Sequence, residues 1–220
     1  MSSRKDILSN TGAGFDRKSH WEEVYESKSP LKVSWFQENP ALSLRLIGDA
    51  GLQNSDAIID VGGGASRLVD ELCKKGLTNI SVLDLAAKAL SISKQRLAEK
   101  AREVEWLVAD VTEFNPPQQY ALWHDRAVFH FLTQKVDREK YLEVLKRALY
   151  PGAHFIIMAF AIHGPEKCSG LNIVQYDAEK MQAELGDSFD LIDSGEEKHI
   201  TPAGGEQNFA YFHFIRVAAE

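Results

Sequence analysis

Apolar positions along the chain fall into two alternating rhythms. Short runs of consecutive apolar or β-branched residues recur at Ala57–Val61, Ile80–Asp84, Glu105–Ala109, Ala121–His124 and His154–Phe160. Runs of this length bounded by turn residues read as strands buried on both faces. Between them apolar residues recur every three or four positions, as in Leu68, Val69, Leu72 and Cys73, with Gly76 as a stop. The stretch "ENPALSLRLIGDAG" predicts an earlier helix, with Asn39 as cap, Pro40 at its first position and Leu42, Leu46 and Ile47 on one face. Asp137 is the expected cap of a helix carrying Tyr141, Leu142, Leu145 and Leu149, ended by Pro151-Gly152. A short helix is expected from Asp177 to Leu185.

Strands alternating with helices predict a Rossmann-like α/β fold, a doubly wound and mostly parallel sheet with helices on both faces. The end of the chain breaks the alternation. Two strand-like stretches, Phe189–Asp193 and Asn208–Val217, flank Thr201-Pro202 and Gly204-Gly205, and no helix fits between them. They predict an antiparallel final strand pair. The expected organisation is a flexible tail over residues 1–19 and one domain over 20–220, with lid helices in 20–50.

The composition narrows the function classes. A net charge of −7 argues against a nucleic acid as main partner. No apolar run reaches the roughly 20 residues of a membrane span, and residues 1–14 lack a signal-peptide core. Two cysteines, Cys73 and Cys168, without CxxC spacing, fit a cytoplasmic protein with reduced thiols. No His-Glu-x-x-His or Cys/His set indicates a metal.

Candidate chemistry gathers at strand ends. In "IIDVGGGASRL", residues 58–68, Asp60 precedes Gly62, Gly63 and Gly64, where a strand meets a helix that opens near Ser66. Asp84, Asp110 and Asp125 follow the next three strands. Ligands of open parallel sheets sit at such carboxyl ends. Four acids on one rim point to a ligand with amine and hydroxyl donors. Asp84 lies 22 residues after Gly62, the spacing of a ribose-binding acid. Arg67 stands where a dinucleotide loop wants its third, small residue, and Asp60 would repel a pyrophosphate but attract a cation.

On these residues the chain resembles the class I S-adenosylmethionine-dependent methyltransferases, in a small single-domain bacterial-type subgroup. Gly62 and Gly64 match the acidic-x-G-x-G-x-G pattern, and Ser66 departs at its third glycine. The likeness extends over about residues 20–217, through "SVLDLAAKAL", "LVADVTEF" and "LYPGAHFIIMAF". It implies that S-adenosylmethionine binds with Asp84 on the ribose, Leu85 beside the adenine, Asp110 and Val111 on the adenine amino edge, and Asp60 with Gly62, Gly63 and Gly64 at the methionyl part. His124, Asp125 and Arg126 would line the methionyl and methyl end, and the product would be S-adenosylhomocysteine. "HWEEVYESKSPLKVSWFQENP" resembles a segment that closes over the donor, bringing Trp21, Tyr25 and Trp35 to it, with Phe36 and Gln37 beside the sulfonium. The implied reaction moves a methyl group to an N, O or S nucleophile of a small molecule, with a protein side chain as the other acceptor type. Catalytic residues stay unassigned, because the sulfonium leaving group asks mainly for alignment and exclusion of water.

Other readings stand beside these. An NAD-dependent oxidoreductase shares the sheet, the loop and Asp84, and a non-catalytic methyltransferase-like module shares the whole fold. "NPPQ", Asn115–Gln118, reads as a proline turn before the fourth strand rather than as a base-methylating motif. His130 reads as a buried histidine, Cys168 as a loop cysteine, and His163 as a base available on the ligand-bearing edge. Lys94–Glu103 reads as a solvated helix face.

Overall fold

A computed structural model describes residues 15–218, so the expected tail over 1–14 lies outside the described residues. Its elements are α1 (Arg17–Ser27), α2 (Ala41–Asp49), β1 (Ile58–Val61), α3 (Leu68–Lys74), β2 (Ile80–Asp84), α4 (Ala87–Leu97), β3 (Val104–Val108) and β4 (Tyr120–Arg126). There follow α5 (Lys135–Ala148), β5 (Leu149–Phe160), the two-residue strands β6 (Lys167–Cys168) and β7 (Leu171–Asn172), α6 (Ala178–Leu185), β8 (Phe189–Ile200) and β9 (Glu206–Arg216).

Seven strands form one sheet in the order β3-β2-β1-β4-β5-β9-β8. β1 through β5 are parallel, whereas β9 runs antiparallel to both β5 and β8. β1 and β2 are buried at every position, which is why their sequence shows no alternation. One apolar face, with Ile59, Trp123, Phe155 and Phe212, packs under α5 and α6; the other, with Ile58, Leu122 and Ile156, packs under α2 and α3. Burial of this apolar surface is the main stabilising term.

Several boundaries differ from the sequence expectation, each for a local reason. Residues 17–19 belong to α1 rather than to a tail, because the Asp16 carboxylate caps the helix by accepting from the Ser19 N–H. Pro40, not Asn39, occupies the cap position of α2, and no side chain closes that end. α5 begins at Lys135, so Asp137 lies in its first turn and ion-pairs with Arg17 at 3.1 Å. α4 stops at Leu97, where Ala98 turns to a positive φ of 52° and a tighter turn runs to Glu103. Asp177 caps α6 as expected, accepting from the Lys180 N–H at 2.8 Å. β8 runs to Ile200, well beyond its predicted end, while β9 stays close to its predicted span, and the two are joined where the Thr201 N–H donates to the Gly205 carbonyl.

Candidate active site

A cleft opens at the carboxyl ends of the parallel strands, enclosing about 810 Å³ with its mouth. Its floor is Val61, Gly62, Leu83, Asp84 and Leu85; Asp110 and Val111 close one end. α1 and the following segment supply Trp21, Tyr25 and Trp35 as a roof. The three rings meet edgewise, Trp21 with Trp35 at 5.7 Å and Tyr25 with Trp35 at 6.4 Å between centroids. A second chamber, sharing Tyr25, Trp35, Gly62 and Arg126 with the first, reaches Asp60, Gly63 and His124.

The glycine run has a reason the sequence alone did not show. A side chain on Gly63 would place its Cβ 2.5 Å from the Asp60 carboxylate, and one on Gly64 would lie 2.5 Å from that of Asp84. Gly62 has φ of +68°, and a Cβ there would strike Val128 at 2.1 Å. The bare backbone therefore first accommodates the protein's own two carboxylates, folding around them while leaving the cleft above open.

Parallel register sets Asp60 beside His124 on β4. The imidazole Nδ1 lies 2.7 Å from Asp60 Oδ1, and its Nε2 lies 3.0 Å from the Ser43 hydroxyl of α2. Asp60 Oδ2 is buried with no hydrogen-bond partner among the described residues. Leaving such an oxygen unpaired is costly, so the site fits a cationic group arriving from a ligand. Asp84 Oδ1 accepts from the Ala86 N–H at 2.8 Å. Burial, followed by the charge of Asp60, pushes the Asp84 carboxyl up to about 7. Asp110 is held by the Thr112 N–H and hydroxyl at 2.9 and 2.8 Å, and faces Arg17 at 3.6 Å.

The predicted rim acids thus divide. Asp60, Asp84 and Asp110 line the two chambers, together with Leu85, Val111, Gly62 and Gly63, while Gly64 lies buried behind them. Asp125 does not join them. It is fully buried and accepts from the Val128 N–H at 2.9 Å, the Phe129 N–H at 3.2 Å and the Tyr141 hydroxyl at 2.7 Å. Its carboxyl, pushed up to about 6 by burial, shapes the turn after β4 from within. Strand alternation instead presents its neighbour Arg126 to the cleft.

The histidines divide as well. His130 is wholly buried, with its imidazole pushed down to about 3 by burial, and accepts a long bond from the Phe160 N–H at 3.4 Å. His163 is exposed in the turn after β5 and lines neither chamber, which removes it as a base for the acceptor. Cys168, read from sequence as a loop cysteine, is buried in β6 and lines the cleft as a thiol pushed up to about 11 by burial. Sequence reasoning also missed Arg17, Val128, Phe131 and Leu132. Only the helix period of α1, which sets Arg17, Trp21 and Tyr25 four apart, could have flagged the first. Among the described residues no cluster is suited to a metal ion, and no helix is long and apolar enough to cross a membrane.

Sheet order and antiparallel closing strand give a Rossmann-like, mostly parallel α/β fold with a cleft at the strands' carboxyl rim. Residues 58–152 match the family described as a methyltransferase domain. The 2-heptyl-1-hydroxyquinolin-4(1H)-one methyltransferase of Mycobacteroides abscessus is 26% identical over 146 residues, covering 64% of this chain and 63% of that protein. The match therefore spans less than two thirds of the relative's length. In structure, the chain is similar to a protein solved in connection with conversion of a disulfide bond into a thioacetal group during echinomycin biosynthesis, with a TM-score of 0.73, 17% identity and 92% of each chain covered. The Burkholderia thailandensis 1,6-didemethyltoxoflavin-N1-methyltransferase gives 0.68 at 15% identity, covering 91% of this chain and 87% of the other. The N-methyltransferase NodS of Bradyrhizobium japonicum, solved with S-adenosyl-L-homocysteine, gives 0.67 at 14% identity, covering 91% and 99%.

Proposed function

We propose that the protein transfers a methyl group from S-adenosylmethionine to an N, O or S nucleophile of a small molecule. The observation that carries this reading is the pair of buried carboxylates at the cleft, Asp60 with an unpartnered oxygen and Asp84 beside it. Asp60 offers that oxygen to an ammonium, and Asp84 is placed at a β2 end where ribose hydroxyls donate to an acid. A pyrophosphate at the same loop would meet Asp60 at close range, which disfavours a dinucleotide. Leu85, Val111 and Asp110 form the slot for a purine, apolar on its faces and polar at its edge.

The donor supplies a methyl group already activated by a sulfonium leaving group. What the chain's own residues contribute is position and dryness. Trp21, Tyr25 and Trp35 cover the cleft, exclude water and present ring faces and edges to a cationic centre. The relative named for a hydroxyquinolone and the neighbour named for a toxoflavin precursor support a small aromatic acceptor over a protein side chain.

Calorimetry with S-adenosylmethionine, S-adenosylhomocysteine and NAD tests the reading. Micromolar binding of the first two and none of NAD is expected; the reverse order would return the oxidoreductase.

A further inference from the structure

One charge in the cleft has no task in holding the donor as just described. Arg126, the last residue of β4, lines both chambers. Its Nη1 donates to the Trp35 carbonyl at 3.0 Å and its guanidinium lies 4.5 Å from the Phe209 ring centroid. Its Nε and Nη2 are buried and have no hydrogen-bond partner among the described residues. Glu197 stands 3.9 Å from Nη2, beyond hydrogen-bond range, and its own Oε2 is unpartnered too. The other cleft cation, Arg17, is already paired with Asp137 and Asp110.

Two further facts constrain the acceptor. Among the described residues no histidine, lysine or glutamate lines the larger chamber. Of the acids there, Asp84 is turned to the donor and Asp110 is tied to Thr112 and Arg17, while the Cys168 thiol holds its proton. Glu197 lines neither chamber and Asp60 lines only the second, so among the described residues that line the larger chamber no acid or imidazole stands free to take a proton from an acceptor. Moreover, a sulfonium placed near a buried guanidinium repels it unless an anion lies between them.

Resting on the methyl-transfer reading above, we infer that the acceptor is an aromatic molecule with an acidic hydroxyl, a phenol, enol or N-hydroxy group, bound as its oxyanion by Arg126. Trp21, Trp35 and Phe131 would enclose its ring, Trp21 meeting Phe131 edgewise at 5.0 Å. The anion accepts from the free guanidinium N–H groups and balances the sulfonium. In the transfer an O–CH3 bond forms as the S–CH3 bond breaks, the electron pair returns to sulfur, and no proton moves. Arg126 thus does the work of a base by selecting an acceptor that has already lost its proton.

The test uses two chromogenic phenols, 4-nitrophenol and 4-methylumbelliferone, titrated into protein saturated with S-adenosylhomocysteine at a pH where each free phenol is mostly protonated. Binding of at least one should raise the phenolate absorbance. Arg126→Gln should abolish that signal and weaken phenol binding about ten- to hundredfold, with S-adenosylhomocysteine affinity kept within about twofold. Arg126→Lys should keep part of the signal. Because Arg126→Gln removes the counter-charge 3.9 Å from Glu197, the Arg126→Gln/Glu197→Gln pair serves as the folded control and should behave the same way. Absence of a phenolate signal with both probes, or its survival in Arg126→Gln, would overturn the inference. So would a parallel loss of S-adenosylhomocysteine affinity, which would give Arg126 to the donor's carboxylate. Failure of the unsubstituted protein to bind S-adenosylhomocysteine would instead remove the donor reading itself, and this inference with it.

Discussion

Asp84 at the end of β2 and Asp125 near the end of β4 look alike in sequence, and the fold treats them in opposite ways. Both are buried, and burial raises both carboxyls, to about 7 and about 6. Asp125 is closed by the chain itself through two backbone N–H groups and the Tyr141 hydroxyl, which in turn accepts from Trp123 at 2.9 Å. Asp84 accepts from the Ala86 N–H and still lines the cleft. A strand-end acid therefore stays open to the cleft only where the local chain leaves its acceptors unspent. The turn after β1 does this with three glycines, and the turn after β4 does the reverse by folding its N–H groups back onto the acid.

The largest effect that would break this contrast is on stability. Asp125→Ala strands the Tyr141 hydroxyl, the buried Phe129 N–H and the part-buried Val128 N–H and should cost about 2–4 kcal/mol in urea unfolding. Its folded fraction should still bind S-adenosylhomocysteine; unchanged stability with lost binding would exchange the two roles. Next comes Asp84→Ala, expected to weaken S-adenosylhomocysteine by about 1–3 kcal/mol in calorimetry with no loss of stability.

A smaller effect sharpens the Asp84 side through pH. Its folded carboxyl titrates near 7, above the ordinary value of 3.8, so the native state holds a proton that the unfolded chain has released. Stability from this group is present below the ordinary value and is lost as pH rises towards 7. Asp84→Asn should flatten that fall in a pH series of melting temperatures. Ribose hydroxyls donate to the ionised form, so donor affinity should rise with pH across 6–8, with proton uptake by buffer seen calorimetrically. The smallest expected change is His163→Ala, which should leave binding and turnover alone, since its ring is exposed outside both chambers.

Much of this was legible in the sequence. Apolar runs gave the parallel strands within a few residues, and the absent helix between the last two strands foretold their antiparallel pairing. Asp60, Asp84 and Asp110 were visible because each ends a run and precedes a turn. Asp125 misled for the same reason: its partners, Tyr141 and the turn N–H groups, are brought to it only by α5 and by the local fold. The glycines were also half read. Their spacing announced a close approach, but the approaching atoms include the chain's own carboxylates and Val128. Cys168 and Phe131 carried no pattern, because the β6–β7 hairpin and the turn after β4 reach the cleft through tertiary contact alone.

A crystal structure with S-adenosylhomocysteine tests the division of the rim acids most directly. It should show the ribose hydroxyls on Asp84, the ammonium on Asp60 Oδ2, and Asp125 still held by Tyr141. A ligand seated away from Asp60 and Asp84, or one that draws Asp125 out of its bonds, would contradict it.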